Sequence, residues 1–554
     1  MGHAVARRLI LLLVFLPCFL LPLSGAHAFP ASALEAEAVA ARHHRLRIAL
    51  NATAVHVGKA LEALSGAAVA PASAVMTTPF SAGSSSSSPL AAAARDDCAE
   101  LLEDSLDLLA GAGEPSAAHD DAVTWLSAAL TNHDTCADSL NEAGIPHGAD
   151  AAPHLAAARA MVRDCLTMYA EAASAAMATS NKDGLAGVPV RNGGGKSKKQ
   201  RKRGRRRRRS LFPRWLSARD RRLLLVPAAP LVESADMVVA KDGTGTHRTI
   251  SDAVKAAPER SGRRTVIHVK AGRYDENVKV GRKKTNLVFV GDGKGVTVVS
   301  AGRSVADNFT TFHTATFAAS GSGFMMRDMT VENWAGPERH QAVALRVSAD
   351  RAAVYRCSII GYQDTLYAHS NRHFYRDCDV YGTVDFVFGN AAAVLQRCNL
   401  WSRSPLPGQK NTVTAQNRRD PGQSTGLVIH ACRVVPSPPP PSTAPAVAAP
   451  LAPTYLGRPW KLYSRVVVMM SYIGGHVPPE GWLAWNATFA LDTLYYGEYM
   501  NYGPGAGVAG RVAWPGHRVI NDSAEAERFT VARFISGASW LPATGVSFLS
   551  GLSL

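Results

Sequence analysis

The sequence predicts two folds in series: an all-α helical bundle, then an all-β domain built as a right-handed parallel β-helix. Three observations carry this. Residues from about 34 to 180 are rich in Ala, Leu, Glu and Asp, with apolar side chains at helical spacing. Beyond Val226 the texture changes to short β-branched runs separated by Gly-rich turns. Within that second part, short motifs recur at a period near 20 residues, about the length of one β-helix coil. A chain of 554 residues favours two domains plus linkers, and 47% hydrophobic with 19% charged residues is a globular composition.

Taken in order, the chain opens with Arg7 and Arg8, an apolar stretch from Leu9 to Leu23, and Ala26-His27-Ala28. This pattern reads as a signal peptide over residues 1–28, so the membrane is met only during secretion. Secretion permits disulfides. Of eight cysteines, Cys18 lies in the signal, and the remaining odd number leaves at least one thiol without an intramolecular partner. Sequons at Asn51, Asn308, Asn486 and Asn521 are acceptors for glycans. Helices are predicted over Cys98–Leu109, where Leu101, Leu102, Leu106 and Leu109 share a face, and over Asp121–Leu130 and Leu155–Ala178. Ser81–Ser88 is a low-complexity loop. Residues 181–225 form a basic linker whose core, Lys196–Arg209, repels itself and offers proteases an exposed target. Behind a signal peptide it is not read as a nucleic-acid arm. The formal net charge is +16, and the part beyond Val226 remains basic, which suits a polyanionic partner.

Strands are expected at Thr265–Val269, Asn277–Val280, Leu287–Gly291 and Val296–Ser300. Cys357, Cys378 and Cys398 recur in matching tripeptides. Gly361-Tyr362-Gln363-Asp364-Thr365-Leu366-Tyr367 aligns with Gly382-Thr383-Val384-Asp385-Phe386-Val387-Phe388, and both read G-x-x-D-x-apolar-aromatic. Pro436–Pro453 cannot hold a ladder strand and reads as an insertion in a surface loop.

Equivalent positions in adjacent coils place Asp364 and Asp385 roughly 5 Å apart. Two such carboxylates titrate as a coupled pair, one ionised and one protonated, which suits acid–base or nucleophilic work. A ladder of aspartates that binds Ca²⁺ or caps turns is the structural alternative. Gln363 adjoins Asp364 and Gln341 lies one coil earlier, so two amides could donate to a developing oxyanion. Arg458 could hold one aspartate as the anion, and Trp460 could stack on a sugar face. There is no G-x-S-x-G elbow, H-E-x-x-H or C-x-x-C pair, so neither a serine triad nor a zinc site is indicated. A close carboxylate pair also suits a retaining glycosidase, and spacing does not decide between ester and glycoside.

With these residues placed, the sequence resembles the plant pectin methylesterases, or pectinesterases. The motifs are Gly272-Arg273-Tyr274-Asp275-Glu276, QAVALRV from Gln341, YQDTLY around Gln363, GTVDFVFGNA around Asp385 and YLGRPW around Arg458, in family order between Met237 and Leu541. The resemblance implies a right-handed parallel β-helix over 226–554, no metal or organic cofactor, and hydrolysis of C6 methyl esters of homogalacturonan (pectin) in the plant cell wall. It implies that Asp385 is the nucleophile, Asp364 the proton donor and acceptor, and Gln363 with Gln341 the oxyanion donors. Thr311, Arg458 and Trp460 would bind substrate. It further implies a Cys378–Cys398 disulfide.

The N-terminal helices, 34–180, resemble a pectin methylesterase inhibitor domain. Cys98 and Cys136 match its second cysteine pair, the first pair is missing, and Cys165 has no partner in that pattern. The implied partners are pectin, the chain's own inhibitor-like domain, separate inhibitor proteins and processing proteases. Arg221-Arg222-Leu223-Leu224 resembles the processing site between the two regions. A β-helical pectin glycoside hydrolase or lyase and a non-catalytic inhibitor-type binder are the other function classes.

Overall fold

The computed structural model describes residues 31–66, 88–145, 151–183, 232–438 and 452–553, with side chains omitted at 31–43 and 172–183. The signal peptide, nearly all of the Ser81–Ser88 loop, the basic linker from residue 184 with its Arg221–Leu224 site, and most of the Pro-rich insertion lie outside the described residues. Contacts divide the chain into Met1–Arg47 and Ile48–Leu554. Of the first unit only the start of a helix, from Ala31, is described. Everything below concerns the second.

The bundle contains the remainder of α1 (Ala31–Gly66), α2 (Pro89–Ala112), α3 (His119–Glu142) and α4 (Ala152–Asp183). The three predicted helices fall inside α2, α3 and α4. α2 starts where Ser88 Oγ accepts the Ala91 N–H at 3.1 Å and Pro89 pre-sets the first turn. Its stripe of Ala94, Cys98, Leu101, Leu102 and Leu109 is buried, whereas Leu106 is half-buried at the edge. The Cys98–Cys136 disulfide pins α2 to α3. From Leu126 to Ala137 every residue of α3 is buried. An amphipathic surface helix buries one stripe; burial all round means α3 is covered on two sides. One side meets α2, and the other meets the β-helix.

The second part winds as a parallel β-helix. Each full turn feeds one strand to each of three parallel sheets of eleven, eight and seven strands, with a short two-stranded pair added. The predicted runs Thr265–Val269 and Leu287–Gly291 are strands to the residue, and the other two are shifted by one. Inside the coils a continuous core runs through Phe289, Phe317, Leu345, Leu366, Phe386, Leu400, Val434 and Tyr496. No bundle residue belongs to this core, so the β-helix buries its own apolar interior without the helices. The outer face of the long sheet is closed by the C-terminal segment, where Phe529, Ile535, Trp540 and Leu541 pack on Phe374, Val394, Val428 and Val467.

The seven-stranded sheet positions the site. Its strands are β1 (Val278–Val280), β2 (Phe317–Ala319), β3 (Leu345–Val347), β4 (Leu366–Ala368), β5 (Val387–Gly389), β6 (Thr414–Gln416) and β7 (Arg458–Pro459). Strict register aligns Lys279, Ala318, Arg346, Tyr367, Phe388, Ala415 and Arg458 as one row across the strands. Their neighbours Val278, Phe317, Leu345, Leu366 and Val387 face the core. With period-two alternation the row faces outward.

The cysteine expectation divides. Cys98–Cys136 is bonded, but Cys378 and Cys398 are free thiols, as are Cys165, Cys357 and Cys432. Four of these stack at one corner, because strand register places Cys357, Cys378, Cys398 and Cys432 in successive coils. Each Sγ turns toward backbone carbonyls: Cys378 to Val354 and Arg376, Cys398 to Tyr375 and Gln396, Cys432 to Leu395 and His430. Thiols that fill a core layer and donate to carbonyls behave as small apolar residues. A 20-residue step therefore satisfies the coil period without a disulfide.

Candidate active site

Asp364 and Asp385 each stand two residues before a strand, ahead of β4 and β5, and those strands pair in register. Their φ angles, 62° and 53°, are left-handed. Asp tolerates this region better than most residues, so the repeated corner selects it on backbone grounds before any chemistry. The glycine three residues earlier is steric: a Cβ on Gly382 would meet Phe386 Cβ at 2.1 Å, and one on Gly361 would meet Thr365 Oγ1 at 2.8 Å. The repeated G-x-x-D thus encodes a tight corner that turns two carboxylates to the same face.

The two carboxylates have different surroundings. Arg458 grips Asp385 with both prongs, Nε to Oδ1 at 2.8 Å and Nη2 to Oδ2 at 2.6 Å. Thr412 Oγ1 donates to Oδ1 at 2.6 Å. Such a fork is the geometry of a guanidinium on a carboxylate anion. Asp364 is 7% exposed. Burial first, then the charge of Asp385, pushes its carboxyl well above the ordinary carboxylate range, against a lowering by Arg458 and with a further push from Glu142. Of the two carboxyls, Asp364 is the one whose surroundings favour holding a proton.

Both aspartates line a cleft of about 270 Å³ with Thr311, Gln341, Gln363, Arg458 and Trp460, so every predicted catalytic and substrate-contacting residue reaches one place. Other residues at or beside the cleft carried no functional signal in the sequence. Thr412 contacts Asp385 from 27 positions away with no repeat to announce it. Tyr367 and Phe388 stack at 4.3 Å and 17°, the aromatic ends of the two aligned heptapeptides. Trp485 lies under the Arg458 guanidinium at 4.3 Å. Trp460 tilts against Phe388 at 6.0 Å, leaving an aromatic floor beside the acids.

The remaining wall comes from α3: Thr135, Asp138, Ser139 and Glu142 line the same cleft. Glu142 accepts the Thr311 N–H at 3.0 Å and its hydroxyl at 3.4 Å. Asp138 takes Arg419 at 2.5 Å and Lys461 at 3.8 Å. Acidic side chains of the bundle meet basic ones of the β-helix at several further points, as in Asp121 with Arg351 and Arg372, and Glu103 with Arg282, while Arg163 with Asp420 has the opposite sense.

Comparisons with known proteins agree with this architecture. The Pectinesterase family model matches residues 236–538, and that of the plant invertase/pectin methylesterase inhibitor matches 27–168. The "Probable pectinesterase/pectinesterase inhibitor 34" of Arabidopsis thaliana is 56% identical over 474 residues, 84% of this chain and 75% of that protein. "Pectinesterase 2.1" of Solanum lycopersicum is 47% identical over 468 residues, 82% of this chain and 78% of its own. Among solved structures, "Pectin methylesterase from Carrot" superposes with a TM-score of 0.55 at 54% identity, covering 57% of this chain and 98% of that one. The fold and these matches define a carboxylic-ester hydrolase on a parallel β-helix, with an inhibitor-type helical domain before it. The chain belongs to the pectinesterase family.

Proposed function

We propose that this chain removes methyl groups from the C6 esters of homogalacturonan through a covalent intermediate on Asp385. An Asp385 oxygen attacks the ester carbonyl carbon, and the carbonyl electron pair moves to oxygen. The amide N–H groups of Gln363 and Gln341 stabilise that oxyanion. Collapse expels the methoxy group, which takes the Asp364 proton and leaves as methanol. Asp364, now a carboxylate, removes a proton from water. The resulting hydroxide attacks the acyl carbon and the bond to Asp385 breaks, returning Asp385 as a carboxylate; the uronic acid formed loses its proton to solvent, and Asp364 keeps the one it took from water. Arg458 orients Asp385, while Thr311 and Trp460 hold the sugar chain. The observation that carries this reading is the asymmetry of the pair: one carboxylate gripped by a guanidinium, the other buried with its pKa pushed upward.

The bundle serves as a cis-acting inhibitor, since α3 forms a wall of the cleft and Glu142 engages Thr311. Secretion to the cell wall, cleavage near Arg221-Arg222-Leu223-Leu224 and release of a domain beginning near Leu225 would then convert a latent chain into the active one. Glycans on the sequons and the domain limits given above belong to the same proposal.

The test is methanol release from pectin by the full chain and by one beginning at Val226, each with and without Asp385→Asn. The shorter chain should exceed the full chain at least tenfold. The D385N variant should lose at least a thousandfold while keeping its thermal unfolding midpoint. Near-normal turnover by D385N overturns the mechanism, and equal rates for the two lengths overturn the inhibitory role.

A further inference from the structure

The bundle fastens its helices unequally. α2 and α3 share the Cys98–Cys136 disulfide. α4 is tied to α3 by Arg159 with Asp134 at 2.5 Å, and to α2 by Tyr169 Oη, which donates to the Ala112 carbonyl at 3.1 Å. From Ile48 onward α1 offers a narrow apolar stripe of Leu50, Val57, Ala60 and Leu64. Among the described residues, the polar contact that joins it to another helix is His56 against His154, near the start of α4. The two histidines are 98 positions apart in the chain, and their Nδ1 atoms stand 3.3 Å from each other.

Two neutral imidazoles can share a proton, but 3.3 Å is longer than the about 2.7–3.2 Å of ordinary N–H hydrogen bonds to oxygen. Nor do the rings stack: their centres are 5.5 Å apart and their planes meet at 49°. The separation matches a different arrangement. Two nitrogens each about 2.0–2.1 Å from one zinc ion, at the tetrahedral angle, stand about 3.3–3.4 Å apart. Both rings are half-buried, so an ion from solvent can reach the pair. Neutral imidazole is a ligand for zinc, copper and nickel, whereas calcium and magnesium take oxygen. Among the described residues no third His, Cys, Asp or Glu completes a cluster, so water fills the remaining positions and the ion exchanges.

We propose that His56 and His154 form a two-histidine site for a divalent transition-metal ion of the zinc type, which clips α1 to α4. The ion binds the paired helices and not the separated ones, so it stabilises the bundle by linkage. The chain lacks the first cysteine pair of the inhibitor pattern it resembles, and the clip gives α1 a fastening of its own. The site belongs to the bundle alone and does not depend on the ester chemistry.

The experiment uses the full chain, with Zn²⁺ as the probe and Ca²⁺ as the control ion. Zinc bound per chain is counted by calorimetric titration for wild type, H56A, H154A and H154Q. The thermal midpoint of the bundle is followed by helical circular dichroism in the same four proteins. Zinc at tenfold above its dissociation constant favours the folded bundle about elevenfold, a rise of about 5 °C in that midpoint. Each variant should bind one zinc fewer than wild type and lose the rise, and Ca²⁺ should produce neither effect. H154Q separates a metal site from a hydrogen bond, because an amide can still pair with His56 but is not among the usual zinc ligands. It also carries the test if an alanine variant does not fold. Wild-type zinc stoichiometry in H56A or H154Q, or an undiminished rise in either, overturns the site. A calcium-induced rise equal to that from zinc overturns it as well.

Discussion

At the scale of single residues, Asp364 and Asp385 share a backbone conformation and differ only in neighbours, so neighbours decide their chemistry. The elevated Asp364 gives a signed pH prediction. The protonated form is the acid, so kcat/KM is retained below its raised pKa and falls as pH rises through it. A pH–rate profile on the chain beginning at Val226 checks this, and a rate that keeps climbing into alkali contradicts it. Thr412 Oγ1 donates to Oδ1 of Asp385, the proposed nucleophile, so Thr412→Val should cut kcat roughly ten- to a hundredfold, the worth of a hydrogen bond to a charged group. The aspartates were legible in the sequence because their corner repeats. Gln363 and Gln341 were legible from their places beside Asp364 and one coil earlier, and Arg458 and Trp460 from their turn, while the family motifs supplied their roles and pointed to Thr311. Thr412 and Trp485 left no such trace: they meet the site through coil stacking, which unites residues far apart in sequence. The Cys378–Cys398 expectation failed for a related reason, since the coil period brings cysteines together whether or not they bond.

Among the elements, α3 makes two contacts at once, tied to α2 by Cys98–Cys136 and laid on the β-helix by its opposite face. The tie closes a 38-residue separation and should contribute about 2–4 kcal/mol to the bundle. Replacing both cysteines by serine should lower the bundle's denaturation midpoint and raise methanol release by the full chain. An unchanged full-chain rate would show that α3 keeps its place without the tie. On the catalytic sheet, Gly382→Ala should cost about 1–3 kcal/mol by overpacking against Phe386, read as a shift in urea midpoint. Helical periodicity foretold α2, α3 and α4 but not α1, and β-branched runs foretold four of the early strands, from Thr265 onward. The sequence did not disclose which face of α3 meets which partner, because burial on both sides erases the amphipathic pattern.

For the molecule as a whole, the positive charge beyond Val226 is partly accounted for by the acidic bundle. Glu100, Glu103, Asp121 and Asp138 meet Lys279, Arg282, Arg351, Arg372 and Arg419. Exposed members of such a contact weaken with ionic strength. The ratio of full-chain to short-chain activity should therefore rise between low and high salt, and a constant ratio would place the docking energy in apolar contacts instead. Composition had announced an attraction for polyanions, but not that part of this chain would supply one. The in-register corners also bear on how such a chain can change length. Because side chains alternate faces, one residue added within a strand would turn every following side chain of that strand to the other face, so added length is taken up in the turns, as the steps of 21 from Leu366 to Val387 and 27 from Val387 to Thr414 show. The interval after Pro436 is under no such rule: Ser437 is anchored to Ser402 on one side and Pro453 to Asn411 on the other, with the coils complete without what lies between. Added length is thereby channelled into the loops, and the paired strands on either side keep their register.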